Sequence, residues 1–144
     1  RLLPAAGGRR ARAHQKAVQA ALTREIESSS KAATGQEVAA VRFGGGQPGR
    51  AVTAELAGLV SCIRGHFPFA GVELTLKALP EPGQDASGWH SAGFNRIDYA
   101  VGATDPFLRN LLGLPAIDGI HFAPHENVGA SLAYGLPGQS AEEL

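Results

Sequence analysis

Three glycines stand where a loop could hold a phosphate group. Gly44, Gly46 and Gly49 follow a G-x-G-x-x-G spacing within RFGGGQPGRAV, between a predicted strand and a predicted helix. Glycines let the backbone turn tightly and approach a ligand, and the free N–H groups at the start of the helix attract an anion. Arg50, next to the third glycine, or Arg42, shortly before the first, would supply the counter-charge. The loop 44–50 is therefore a candidate nucleotide- or phosphate-binding site.

The same segment resembles the dinucleotide fingerprint of Rossmann-type flavoproteins and dehydrogenases. The resemblance implies a strand–loop–helix unit that binds the pyrophosphate of a dinucleotide. The chain departs from that pattern, because a long helix precedes the first strand and Lys77 rather than an acid stands near the end of the next one. Pro48 also removes an N–H group that could face a phosphate. These departures favour a glycine turn without a ligand, so we expect no cofactor.

A second cluster of possible ligands lies in the segment DGIHFAPHE. His121, His125 and Glu126 are weak candidates for a metal site, since two histidines four residues apart can share a metal when they lie on one face of a helix. Pro124 lies between the two histidines, and the alternation around Phe122 favours a strand. On a strand such positions stand about 13 Å apart. We therefore expect polar residues at a strand end and a turn, and no metal site.

Basic and aromatic residues suggest contact surfaces. No acid precedes Glu25, so the N-terminal helix is basic, and such a helix could contact RNA or an acidic protein. Aromatic residues and arginine are enriched in the cores of protein interfaces, and several aromatic residues here fall in predicted loops. The predicted interface residues are Arg9, Arg10, Arg12, Phe67, Phe69 and Trp89.

The elements that must position these residues follow from hydrophobic periodicity. The spacing predicts helices over 9–29, 50–64 and 104–113, and strands over 37–43, 72–76, 96–101, 117–122 and 128–134. The segment 80–93 reads as a loop because it is rich in Pro, Gly and Ser. The predicted strands over 72–76 and 96–101 alternate between apolar and polar residues, which indicates a sheet with one face exposed to solvent. The pattern predicts an α+β two-layer sandwich, with helices on one face of a four- or five-stranded mixed sheet.

Composition places the chain among single globular domains. The 144 residues carry 13 basic and 13 acidic side chains, and this neutral balance argues against a dedicated nucleic-acid binder. One cysteine excludes an internal disulfide and a cysteine-based zinc cluster, and no apolar run is long enough to span a membrane. We expect a flexible arm over 1–8, one domain over 9–135 and an exposed tail over 136–144.

No set of acid, base, nucleophile or metal ligand reaches a specific pattern, which favours a binding role over catalysis. The sequence therefore predicts a non-catalytic structural subunit of a larger assembly, organellar or viral, with other protein subunits as partners. The alternative is a small nucleotide- or phosphate-binding domain that uses the glycine loop. An arginine-rich, acid-free N-terminus is typical of an organelle-targeting segment. We accordingly expect a mitochondrial or other organellar location, or otherwise a cytoplasmic one.

Overall fold

The computed structural model describes residues 9–114 and 121–140, without the side chains of residues 9–12. The expected arm over 1–8 and the last four residues of the expected tail lie outside these ranges, as does most of the strand expected over 117–122. The helices are α1 (Arg9–Ala32), α2 (Thr53–His66), α3 (Ala86–Ser91) and α4 (Pro106–Leu111). The strands are β1 (Ala40–Phe43), β2 (Glu73–Ala78), β3 (Arg96–Gly102) and β4 (Val128–Leu132), and a 3-10 turn spans Pro48–Arg50.

The four described strands form one sheet in the order β1-β2-β3-β4, and every neighbouring pair is parallel. The prediction of an α+β fold with helices packed on a sheet is confirmed, whereas the prediction of a mixed sheet is wrong. Parallel neighbours need a crossover connection, and helices occupy the connections: α2 lies between β1 and β2, α3 between β2 and β3, and α4 between β3 and β4. All four strands therefore point their carboxyl ends toward one edge of the sheet, called here the carboxyl edge.

The hydrophobic core lies between the helices and one face of the sheet. Alternate residues of β2 and β3 point into it, because side chains on a strand alternate between the two faces. The helices add Leu56 and Val60 from α2 and Trp89 from α3. The buried strand residues of the core are Leu74, Leu76, Ala78, Ile97, Tyr99 and Val101.

Helix α3 lies inside the segment that was predicted to be a loop, so that prediction is wrong. Asp85 starts the helix by accepting a hydrogen bond from the backbone N–H of Gly88 at 2.9 Å. Capping by an aspartate satisfies a backbone donor that the first turn leaves free. Trp89 then enters the core and is only 1% exposed. A cap at one end and a large buried side chain near the other stabilise a helix too short to form from propensity alone.

Helix α1 packs against α2 on the outside of the domain. The side-chain amide of Gln19 donates to the backbone oxygen of Glu55 at 3.4 Å, and Val18 and Leu22 stay exposed. None of the helices in the described ranges is long and apolar enough to cross a membrane.

Candidate functional site

The second face of the sheet is polar and forms the floor of the candidate site. Thr75 of β2 and Asp98 of β3 point to this face and are 5% and 8% exposed. Parallel sheets are normally apolar on both faces because helices cover both. Here the described helices cover the apolar face, so the polar face is left for water or for a ligand.

Two small networks pair the charges of this polar face. Arg42 of β1 reaches across β2 to form an ion pair with Asp98 of β3, and the hydroxyl of Ser131 on β4 lies 3.5 Å from the same carboxylate oxygen. Nearer the amino ends of the strands, Glu73 accepts a hydrogen bond from the Thr75 hydroxyl at 3.1 Å. The Arg96 guanidinium lies 4.0 Å from the Glu73 carboxylate. Both acids on this face therefore have basic partners.

Lys77 differs from the other charged side chains of this face. It lies one residue before the end of β2, half-buried, and its neighbours in register are Asp98 on one side and the start of the glycine loop on the other. Its ammonium group makes no hydrogen bond or ion pair within the described ranges. Asp98, the nearest acid in register, is already paired with Arg42.

The glycine loop leaves the sheet at the carboxyl edge, directly after β1. Gly45 and Gly46 have φ values of 73° and 59°, in the left-handed region that favours glycine. Both residues are exposed, and a side chain added at either would meet no atom within 4 Å. Their N–H groups donate no hydrogen bond within the part of the chain that the structure describes. These donors are therefore open to a ligand.

Gly49 has a different role from the first two glycines of the predicted phosphate site. A Cβ at this position would lie 2.9 Å from the Cβ of Ala78, so the absence of a side chain lets the 3-10 turn pack against the end of β2. Gly49 faces the protein, whereas Gly44 and Gly46 face solvent. The structure thus brings the three glycines into one loop but directs only two of them outward.

Arg50, the predicted counter-charge, is already engaged. Its guanidinium forms a two-point ion pair with the carboxylate of Glu81, in which Nε donates to Oε2 at 3.1 Å. Bidentate pairs of this kind are stronger than single contacts. Any anion bound at Arg50 would have to compete with Glu81 for the same N–H groups.

A cleft of about 240 Å³ opens beside the Arg50–Glu81 pair, on the helical side of the carboxyl edge. Thr53 donates from its hydroxyl to Asp85 at 2.7 Å and thereby ties the start of α2 to the start of α3. That hydrogen bond, with the one from the Gly88 N–H, lowers the pKa of Asp85. Ligand pockets usually measure about 300–1,000 Å³, so this cleft has room for only part of a small molecule.

The histidines of the predicted metal cluster lie at opposite edges of the sheet. The His121 N–H bonds the oxygen of Pro80, just past the end of β2, whereas His125 contacts the oxygen of Phe94, just before β3 begins. The His125 ring also accepts a hydrogen bond from the Asn127 N–H at 3.2 Å. His121, His125 and Glu126 are therefore not assembled as a metal site, and no group of three or more His, Cys, Asp or Glu within 9–114 and 121–140 is placed to hold a metal ion.

The predicted contact residues divide between the core and the surface. Trp89 is a core residue and is only 1% exposed, so the described chain does not present its side chain at the surface. Phe69 is half-buried against the core, and the Arg64 guanidinium lies 5.1 Å from its ring centre. Phe67 is also half-buried. The basic residues Arg9, Arg10 and Arg12 lie in the first turn of α1, where the structure does not describe their side chains.

Buried Arg109 binds the backbone at the carboxyl end of β3. It lies on α4, is 2% exposed, and donates to the backbone oxygens of Val101 at 2.6 Å and Ala103 at 2.8 Å. Its burial lowers the pKa of its guanidinium.

On the core side of the sheet, burial raises the pKa of Tyr99, whose hydroxyl accepts a hydrogen bond from the Ala123 N–H at 2.8 Å. The sequence analysis did not identify the polar face with Lys77, because only the strand register brings Arg42, Lys77 and Asp98 together.

No protein family and no curated protein sequence matches this chain. Among solved structures, the chain is similar to coproporphyrinogen III oxidase from Escherichia coli, which is described as a radical SAM enzyme. The two share 22% identity and a TM-score of 0.70 over 95% of this chain and 34% of the other. The fold is shared with part of a radical SAM enzyme.

This likeness corrects the predicted function. The prediction of a non-catalytic structural subunit of an assembly is contradicted by this finding, because a solved protein that shares this arrangement of strands and helices is an enzyme. The error arose from treating the absence of a catalytic motif as a sign of a binding role. In a parallel-sheet enzyme the site is built from the ends of several strands, and residues so far apart in sequence leave no compact motif.

Proposed function

We propose that this chain is part of a radical SAM-type enzyme and that it contributes to the binding site for S-adenosylmethionine (SAM). The observation that carries the proposal is the glycine loop, with its open N–H groups, at the carboxyl edge of a parallel sheet whose fold matches a third of such an enzyme. In parallel-sheet folds, ligands bind outside the carboxyl ends of the strands. The chain spans about a third of the solved enzyme, so the activity of that whole protein is not assigned to this chain.

The residues present fit SAM as a ligand. Its adenosine and amino-acid groups need hydrogen-bond donors and acceptors at close range, which the exposed backbone of Gly45 and Gly46 supplies. The polar face next to the loop adds charged side chains from three strands, Arg42, Lys77 and Asp98. When bound, SAM supplies radical chemistry, and the residues of this chain bind and orient it.

The residues do not fit an iron–sulfur cluster. Such clusters are held by several cysteine thiolates, and the 144 residues contain one cysteine. Cys62 lies on α2, where its sulfur is 3.9 Å from Nδ1 of His66, away from the glycine loop. We therefore assign to this chain the binding of SAM and no step that needs a cluster.

The test is a calorimetric titration of the protein with SAM, alongside two matched glycine variants. Gly45→Ala forces a side chain into the left-handed region, which costs roughly 1–2 kcal/mol, and we expect it to weaken SAM binding about tenfold or to abolish it. Gly71→Ala is the control, because Gly71 has φ 69° and equally open surroundings but lies before β2 at the opposite edge. An equal effect of both substitutions, or binding of ATP with none of SAM, would contradict the proposal.

A further inference from the structure

We infer that the cleft beside the Arg50–Glu81 pair is a second binding site, which takes a small organic cation with N–H donors, a guanidinium or a primary ammonium group. This inference goes beyond the proposed function, because the cleft lies on the helical side of the carboxyl edge. Within the described ranges its lining contains no residue of the polar face and neither Gly45 nor Gly46. It is lined instead by the 3-10 turn, the start of α2 and residues of the loop 79–85.

A buried oxygen without a donor marks this cleft. The side-chain amide nitrogen of Gln84 donates to the backbone oxygen of Leu79, so the amide is held with its nitrogen toward that carbonyl. Its oxygen Oε1 is an acceptor, and it is buried with no hydrogen-bond partner among the described residues. Most buried side-chain polar atoms have such a partner. The partner that Gln84 lacks is a hydrogen-bond donor.

A second glutamine amide lines the same cleft. Gln47 directly precedes the 3-10 turn and is half-buried, yet its side chain does not cap that turn. Its amide makes no hydrogen bond within the part of the chain that the structure describes. A primary amide carries both an acceptor oxygen and two N–H donors. The cleft thus has one acceptor held in place and a second one that can turn toward a ligand.

The charges around the cleft favour a cation. Arg50 and Glu81 form an ion pair and balance each other. Asp85 remains, and hydrogen bonds from the Thr53 hydroxyl and the Gly88 N–H lower its pKa, so it is ionised at neutral pH. The lining therefore carries one net negative charge together with the amide oxygens. Guanidinium and ammonium groups supply N–H donors and positive charge together, whereas an anion would be repelled.

The size of the cleft limits what enters it. Its volume of about 240 Å³ is below the usual range of ligand pockets, about 300–1,000 Å³. A guanidinium or ammonium group on a short alkyl chain needs less room, and Leu79 in the lining offers apolar contact to the chain. The cationic head group would then donate to the Gln84 oxygen while the rest of a longer ligand stays in solvent.

The test is an NMR titration of isotope-labelled protein with N-propylguanidinium and with N-propylurea, a neutral molecule of nearly the same shape. We expect N-propylguanidinium to cause saturable shifts of amide signals within residues 47–53 and 79–85. N-propylurea should bind about tenfold more weakly, since hydrogen bonds with a charged partner are the stronger ones. Sodium propionate, an anion of similar size, should shift none of these signals.

Three glutamine variants locate the contact. Gln84→Met keeps the length of the side chain and removes the acceptor, so N-propylguanidinium should bind about tenfold more weakly. Gln47→Met breaks no hydrogen bond among the described residues, so a loss of about threefold in that variant reports on the ligand and not on folding. Gln36→Met, at an exposed position between α1 and β1, is the control and should leave the affinity unchanged.

The outcomes separate this site from the SAM site. Equal binding of the urea and the guanidinium, a preference for propionate, or full affinity in Gln84→Met would refute the cation site. If Gln84→Met does not fold, Gln47→Met decides, and full affinity in that variant refutes the site. Gly45→Ala, which tests SAM binding, should leave N-propylguanidinium binding unchanged. A loss in Gly45→Ala as large as in Gln84→Met would place the cation at the glycine loop and overturn the inference.

Discussion

Glycines of one loop serve two separate purposes at the level of single residues. Gly45 and Gly46 are needed because their backbone lies in the left-handed region, although space around them is open. Gly49 is needed because Ala78 leaves no room for a side chain. A spacing pattern in the sequence treats all of them alike, and only the surroundings of each Cα separate a solvent-facing glycine from a packing one.

The packing role of Gly49 predicts a stability defect. Gly49→Ala places a methyl group 2.9 Å from the Ala78 Cβ, and we expect it to lower the free energy of unfolding by about 1–3 kcal/mol, as overpacking does. Urea denaturation measures the change. Gly44→Ala is the matched control, because that position has open space and no positive φ, and it should alter stability little. The double variant Gly49→Ala/Ala78→Gly should recover part of the loss, and no recovery would rule out this contact as the cause.

Most of the regular elements could be predicted from the sequence, because burial leaves a periodic trace. The alternation in β2 and β3 and the helical spacing in α2 both appear in the structure where the patterns place them. The short helix α3 could not be predicted, since its stability comes from the Asp85 cap and from the burial of Trp89 against distant strands. Local composition reports neither of these.

The parallel direction of the strands was the other feature that the hydrophobic pattern did not predict. Buried parallel strands usually read as continuous apolar runs, and alternation is typical of antiparallel sheets with one wet face. Here the strands are parallel yet alternate, because the second face carries the polar residues Thr75, Lys77 and Asp98 and the described helices pack on the other face. The feature that misled the fold prediction is the one that marks the candidate site.

The link between the starts of α2 and α3 predicts a pH dependence. The Thr53 hydroxyl and the Gly88 N–H hold the pKa of Asp85 below its usual value of 3.8. A carboxylate with a lowered folded-state pKa adds stability that is fully present above the unfolded-state pKa and is lost as the pH falls through the folded-state pKa. Stability should therefore decline below about pH 4 partly through Asp85.

Two variants check this contribution. Asp85→Asn should flatten the acid side of the stability curve in urea denaturation between pH 5 and pH 2, which is about the range where a carboxylate of this kind titrates. Thr53→Val removes the larger of the two causes, so the pKa of Asp85, followed by NMR, should move back up toward its usual value. An unchanged Asp85 titration in Thr53→Val would show that the hydroxyl contact does not form in solution.

The candidate site is formed by residues from all four described strands. Its glycine loop was visible in the sequence, but its polar floor joins Arg42, Lys77, Asp98 and Ser131 from four different strands. Those residues are separated by long stretches of chain, and no spacing rule connects them. The parallel order of the sheet brings them together, and the same order directs every strand end toward the glycine loop.

The arrangement of the sheet predicts how the molecule opens. Strands β2 and β3 are flanked on both sides and carry the core, whereas β1 and β4 each have a single neighbour among the described strands. Amides in the most protected elements exchange only through global unfolding, and those at edges exchange through smaller openings. We expect hydrogen exchange to be slowest in β2 and β3, faster in β1 and β4, and fastest in α1, whose Val18 and Leu22 are exposed.

Adding low concentrations of urea sharpens this test. Exchange in β2 and β3 should accelerate with the full denaturant dependence of global unfolding, while exchange in β4 and α1 should respond weakly, because their opening exposes little surface. Protection of β4 equal to that of β3 would contradict the expected order. Since β4 exposes Val128 and Leu132, equal protection would mean that another strand, from this protein or from a second copy, covers that edge in solution.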